Sequence, residues 1–210
     1  MPRTRAGDYD DKRTQVLDVA AALFGEFGYT GTKMEQIAER CNVSKSMVYH
    51  YFKKKEDVLF DIQQEHVLGL ISAVETYIKQ NQAANPDDFF RGFVQVYLEP
   101  APKVRARHVV AMVEMRYLTD KQKARQVKLE RRFLTLVDSV LAKVNPEVEP
   151  VDRKVFCLLL VGMMNWIELW YKSSGKLSPA ELYKMIGHLF LHGFLEVGAK
   201  AKRAPATVAA

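Results

Sequence analysis

Apolar residues recur at steps of three and four along nearly the whole chain, and no stretch alternates polar and apolar over the length of a strand. That spacing gathers side chains on one face of an α-helix. The first stripe is Val16, Ala20, Leu23, Phe24 and Phe27, and Gly28 stops it. Thr32 with Glu35 three residues later reads as a capping box, opening a helix with the stripe Met34, Ile37, Ala38 and Cys41. Asn42-Val43 makes a tight break, and Ser44 caps a third short helix ending near Phe52. A long fourth helix carries Val58, Leu59, Ile62 and Leu70. Pro86 opens a helix with Phe89, Phe93, Val96 and Tyr97, which Pro100 and Pro102 break. A further helix is expected over about 104–118, and Thr119 with Gln122 caps another that ends before Pro146. Residues 152–173 are apolar on nearly all sides, with Gly175 able to end that helix. Ser178, Pro179 and Glu181 open the last helix, whose stripe is Leu182, Met185, Ile186, Leu189, Phe190 and Phe194. The expected fold class is all-α.

Composition narrows the setting. Of 210 residues, 48% are hydrophobic and 27% charged, ordinary for a globular chain able to bury a core. Cys41 and Cys157 stand far apart and in no ligand spacing, so neither a disulfide framework nor a zinc site is expected. Met1 to Arg13 is polar, which speaks against a secretory leader, and Val155 to Ile167 is too short an apolar run to span a bilayer. A cytoplasmic protein with no membrane partner is expected. The net charge of +6 suits a polyanionic partner without demanding one.

The informative segment is 32–55. Two short helices are separated by Cys41-Asn42-Val43-Ser44, as a helix-turn-helix requires: one residue tolerant of positive φ and an apolar plug beside it. Asn42 suits the first role and Val43 the second, with Val48 and Phe52 packing inward. From Arg40 to Lys55 stand five basic residues (Arg40, Lys45, Lys53, Lys54, Lys55) and no acid. A single-sign face suits phosphate contact, where each neutralised phosphate releases a counterion. Ser44, Lys45, Ser46 and Met47 lie at the helix start, where base edges are met. Thr32, Lys33, Tyr49 and Tyr51 are candidates for phosphate contact beside them. A solvated basic face on an ordinary helical hairpin is the competing reading.

The run VLDVAAALFGEFGYTGTKMEQIAERCNVSKSMVYHYFKKKEDVLF resembles the DNA-binding domain of the TetR family. Gly28-Tyr29, Thr32, Ile37-Ala38, Val43-Ser44-Lys45, the aromatic cluster from Tyr49 to Phe52 and Lys55-Glu56 fall at that family's spacing. The resemblance implies phosphate contacts from Thr32, Tyr49, Tyr51 and Lys55, and a recognition helix beginning at Ser44–Met47. Asn42 replaces the family's usual turn glycine, and Met47 stands where a small residue is common. Met47 would offer a thymine methyl an apolar contact instead of a hydrogen bond. The family also implies a three-helix head over 10–70, an effector-binding and dimerisation domain over 71–200, and a homodimer through the last two helices. The heads would then read a palindromic double-stranded operator at about 34–36 Å spacing. The tail 201–210 is expected to be disordered.

The stretch VGMMNWIELWYKSSGKLSPAELYKMIGHLFLHG resembles TetR-like repressors that answer to CoA thioesters of fatty, aromatic or steroid-derived acids. Between Lys103 and Arg132 lie ten Lys or Arg against three acids, which suits a CoA phosphate or a merely solvated face. Candidate effector contacts are Arg105, Arg107 and Arg116 for phosphates, with Tyr97, Met112, Asn165, Trp166 and Trp170 around the acyl group. Packing at a dimer core is the other reading of the tryptophans. An effector of the hydrophobic, drug-like kind, controlling efflux or stress genes, is the alternative. His188 and His192 have metal-compatible spacing but lack a nearby acid, so no metal and no cofactor are expected, and no nucleophile–base set argues for an enzyme. A DNA-bending protein without effector control also remains open.

Overall fold

The computed structural model describes residues 5–98, 102–172 and 174–194. Among them every regular element is helical: α1 (Arg5–Gly31), α2 (Met34–Arg40), α3 (Lys45–Tyr51), α4 (Lys55–Gln80), α5 (Pro86–Leu98), α6 (Pro102–Val113), a 3-10 turn (Met115–Tyr117), α7 (Asp120–Val144), α8 (Pro150–Trp170) and α9 (Pro179–Phe194). The all-α expectation holds. The tail 201–210 and the Pro100 break lie outside the described residues.

Most helix boundaries follow local chemistry. The Thr119 N–H donates to Gln122 Oε1 at 3.0 Å while the Gln122 N–H donates to Thr119 Oγ1 at 3.3 Å, a reciprocal cap for α7. Ser178 and Glu181 do the same for α9, at 2.8 and 3.3 Å. Three boundaries differ from the sequence reading. α8 starts at Pro150, whose missing N–H costs nothing in the first turn, instead of at Asp152. The helix expected over 104–118 stops at Val113, because Glu114 turns its carboxylate inward to accept the Tyr29 N–H at 3.2 Å. The capping box expected at Thr32 is shifted by one residue: Lys33 is the N-cap of α2 and its N–H donates to Gln36 Oε1 at 2.7 Å.

The chain packs into two units. The first comprises the described parts of 1–69 and 100–130. Leu17, Ala20, Leu23 and Phe24 of α1 meet Ile37, Val48, Phe52, Leu59 and Ile62, with Val110 of α6 and Leu118 completing the core. Phe27, placed in the first stripe by its spacing, is 49% exposed, because Gly28 leaves the helical path at φ 72° and ψ 163°. α6 packs along α1. Arg107 of α6 joins Asp18 of α1 at 2.8 Å and Glu65 of α4 at 2.7 Å, and Arg13 of α1 pairs with Asp61 and Glu65. Beside them His108 Nδ1 lies 2.7 Å from His66 Nε2, both rings buried.

The second unit comprises the described parts of 70–99 and 131–210. Its core joins Phe89, Phe90 and Phe93 of α5, Phe133, Val137 and Leu141 of α7, Leu160 and Met164 of α8, and Leu182 and Ile186 of α9. Phe90 and Phe190 stack with centroids 5.3 Å apart. α8 buries only part of its apolar surface: Val151, Val155, Leu158, Leu159, Trp166, Leu169 and Trp170 are exposed, as are Met185 and Leu189 of α9. No helix of the described residues is long and apolar enough to cross a membrane.

The His66 environment makes stability pH-dependent. Burial first, then the neighbouring His108 and Arg107, push its pKa down to about 3. The unfolded chain therefore takes up a proton near pH 6.5 that the folded chain refuses, so this contribution is complete above that pH and is lost as pH falls toward 3. Urea unfolding at pH 7 and pH 5 should show a loss from this group approaching about 1.4 kcal/mol per pH unit. In His66→Leu the acid-induced loss should shrink by that amount, and an unchanged loss would contradict this account.

Candidate nucleic-acid interface

The turn from α2 to α3 is a Schellman-type ending. The Val43 N–H reaches Ala38 O and the Asn42 N–H reaches Glu39 O, both at 3.0 Å. Such an ending needs a left-handed residue, and Asn42 adopts φ 55°, the one positive φ among the described non-glycine residues. Val43, the expected plug, is half-buried against the first unit's core. Ser44 Oγ accepts the Met47 N–H at 3.2 Å and starts α3. From there the helix divides. Val48 and the following Phe52 are buried, while Ser44, Lys45 and Ser46 stand in solvent, with Met47 and Tyr49 half-buried at the edge.

The charge pattern holds one component hidden from a linear reading. Glu35 of α2 forms an exposed ion pair with Lys45, which holds the carboxyl below its usual range and raises the lysine. The run 40–55 is acid-free in sequence, yet an acid from ten residues earlier lies against its central lysine. The spacing of Glu35 on α2 was no signal for this, because the turn angle between the two helices decides it. Lys45 Nζ also sits 5.8 Å from the Tyr49 ring centroid. Tyr9 is a second residue the sequence reading missed: its ring lies 4.6 Å from that of Tyr51 and 6.0 Å from that of His50, joining the start of α1 to the end of α3.

Two expected phosphate contacts are corrected. Thr32 is fully buried, and its hydroxyl donates to Leu23 O at 3.1 Å and Gly28 O at 3.0 Å. It ties the broken end of α1 together and offers no hydroxyl to a ligand. Lys55 is likewise occupied: its ammonium donates to Tyr29 O at 2.6 Å and Thr32 O at 2.7 Å, 4.2 Å from the Tyr29 ring centroid. Burial lowers its pKa, with Glu56 opposing. Both residues brace the site. Lys33 and the reading-face residues stay accessible, with Tyr49 and Tyr51 half-buried beside them.

The expected effector residues fall in both units. Tyr97 and Asn165 meet in the second, where the Tyr97 hydroxyl donates to Asn165 Oδ1. Trp166 and Trp170 do not join them: at 65% and 51% exposure they lie on the outer apolar face of α8. In the first unit Arg107 cannot serve a phosphate, because Asp18 and Glu65 already hold it with its side chain only 11% exposed. Arg116 is exposed, lies 5.0 Å from the Tyr117 ring centroid and 3.7 Å from Glu114 Oε2. Met112 is half-buried, and the Arg105 side chain lies outside the described residues.

A short capped helix with one polar, cation-bearing face, set off by an Asn-closed turn from the helix before it, defines a helix-turn-helix reading head. Residues 16–62 match the family described as bacterial regulatory proteins, tetR family, and residues 83–194 match the tetracyclin repressor-like C-terminal domain. The chain belongs to the TetR family of transcription regulators. A TetR-family regulator from Bordetella parapertussis is 32% identical, superposes with a TM-score of 0.78, and covers 88% of this chain and 96% of that one. The transcriptional activator FasR of Mycolicibacterium smegmatis is 28% identical over 126 residues, 60% of this chain but only 56% of that protein's length. AibR, solved in complex with isovaleryl coenzyme A and operator DNA, shares the fold at 22% identity and a TM-score of 0.68, covering 89% of this chain and 97% of that one.

Bracing and reading are separable by mutation. Thr32→Val removes the hydroxyl that donates to Leu23 O in a buried contact and to Gly28 O in a part-buried one, and should cost about 1–3 kcal/mol of stability. Lys45→Ala, exposed, should stay within about 0.5 kcal/mol of wild type. Urea titration of both variants checks this, and equal effects would count against the division.

Proposed function

We propose that the chain is a homodimeric repressor that grips a palindromic operator through α3 and lets go when a small effector binds. The observation that carries this reading is the exposed face Ser44, Lys45, Ser46, held outward by buried Val48 and Phe52. In this reading residues 10–70 form the reading head, 71–200 the effector and dimer domain, and the protein works in the cytoplasm, where its operator lies. Serines and a lysine at a helix start are what base edges and phosphates require. Lys33, Lys53 and Lys54, all exposed, flank that face and would add salt-dependent phosphate attraction. Tyr49 and Tyr51 reach phosphates from the edge, and Met47 meets a thymine methyl.

The uncovered apolar face of α8 and α9 supports the dimer. Val151 at 79%, Trp166 at 65% and Leu189 at 69% exposure belong to one continuing stripe of each helix, too large for a monomer to leave wet. A second copy placing the same face against it makes an isologous four-helix contact. The effector we favour is a CoA thioester, since AibR, which shares the fold, binds isovaleryl coenzyme A. With Arg107 committed to Asp18 and Glu65, phosphate contact would fall to Arg116 and the exposed cations of α7. Coupling of about 1–3 kcal/mol, or 5–150-fold in affinity, is typical of such linkage.

Three measurements test this. Lys45→Ala and Tyr49→Phe should each weaken operator binding in a salt series, and wild-type affinity in both would displace the reading face from α3. Leu159→Glu puts a charge in the apolar stripe and should yield a monomer by sedimentation with at least about tenfold weaker operator binding. Isovaleryl coenzyme A, added to the operator complex at micromolar concentration, should release the DNA. Persistence of the complex with that thioester and with longer acyl-CoA would remove the CoA assignment.

A further inference from the structure

The core of the first unit contains polar groups that have no hydrogen-bond partner among the described residues. Gln63 of α4 is 0% exposed, and neither its Nε2 nor its Oε1 has a hydrogen-bond partner. One turn later on the same face, His66 Nδ1 is also buried and unpartnered. α7 adds a third such atom, the Oε1 of Gln126. Folded proteins leave few buried polar atoms unpaired, and a glutamine with both ends orphaned in an apolar helix segment (Leu59, Phe60, Ile62 and Val67 around it) calls for an occupant.

We propose that the Gln63 amide and the His66 imidazole form a receptor for a neutral hydrogen-bonding group, an amide or a hydroxyl, on the uncharged part of the effector that enters this core. This rests on the effector-controlled reading given above and names the chemistry of its ligand. Gln63 offers two N–H donors and a carbonyl acceptor. His66 Nε2 faces His108 Nδ1 at 2.7 Å, so a single proton serves that contact. If His66 holds that proton, its Nδ1 accepts; if His108 holds it, His66 Nδ1–H donates. Charge selects against an anion. His66 is neutral in this burial, and the nearby cation, Arg107, is held by Asp18 and Glu65. Among the described residues a carboxylate here would find no uncommitted counter-charge, whereas an amide matches donor to acceptor. The site also has leverage, because His66 and His108 join α4 to α6, and α6 packs on α1 of the reading head.

The test uses the whole protein, octanamide and octanoate, two probes of equal chain length that differ in charge. Thermal unfolding should shift upward with millimolar octanamide and stay unmoved with octanoate. Gln63→Met removes the orphaned amide at similar volume. Its ligand-free melting temperature should rise by about 2–4 °C, and the octanamide shift should vanish. A lower melting temperature or failure to fold in Gln63→Met would mean that the amide is bonded within the protein, and would overturn the proposal. So would an octanoate shift as large as that of octanamide, an octanamide shift that survives the substitution, or no shift in the wild type, the result if only water fills the site. Operator binding is measured alongside: loss of operator binding in the wild type would sink the regulator reading, while the unfolding data still judge the receptor.

Discussion

A seven-residue helix has no stability of its own in water, since its nucleus costs more than its few hydrogen bonds return. α3 is such a helix, and whatever reads DNA from it must be held from outside. Val48 and Phe52 supply the hold from below. Ser44 ties its first turn, and the Asn42 turn fixes the direction in which it leaves α2. Further back, the broken end of α1 is closed by Thr32 and Lys55, so that Gly28 O meets a hydroxyl and Tyr29 O an ammonium. The exposed residues of the face contribute little to folding, and the braced ones have nothing left to offer a ligand. That separation would let the exposed face of α3 vary without unfolding the head.

The same head is tied to α6 by charge. Arg107 reaches α1 and α4 at once, Arg13 joins α1 to α4 again, and the Glu114 carboxylate takes the Tyr29 N–H at the end of α1. Partly buried pairs of this kind are costly to break singly, because the abandoned partner stays desolvated. A shift of α6 must therefore either carry α1 and α4 along or give up several contacts together.

Several caps decided by local contacts match the sequence, although the cap of α2 falls on Lys33 instead of Thr32 and α8 begins at Pro150. Thr119 with Gln122 and Ser178 with Glu181 are complete within four residues, and Asn42 needed only its own tolerance of positive φ. Errors gather where a distant partner decides. Thr32 and Lys55 carry polar groups suited to phosphate, and only folding shows those groups turned to the end of α1. Arg107 belongs to a basic run in sequence, but Asp18 and Glu65 lie 89 and 42 residues away along the chain. The tryptophans were legible as apolar and helical, yet periodicity on a helix with two greasy sides cannot say which side faces the protein's own core.

Gln63 shows the opposite kind of silence. In sequence it is a polar residue on a long amphipathic helix, where exposure is the ordinary assignment. Its complete burial without a partner is a cost that an apolar residue of similar size would avoid. Folded proteins pair nearly all their buried polar groups, so an uncompensated one in a core calls for an explanation, and a functional site is one of the places where such local conflicts gather. The apolar face of α8 and α9 carries the same kind of cost at the surface: exposed Leu158, Leu159 and Trp166 would be better replaced by polar residues in a chain that stayed alone. Both costs belong to the isolated, empty protomer; under the two proposals a second copy would relieve the one and a small neutral group the other.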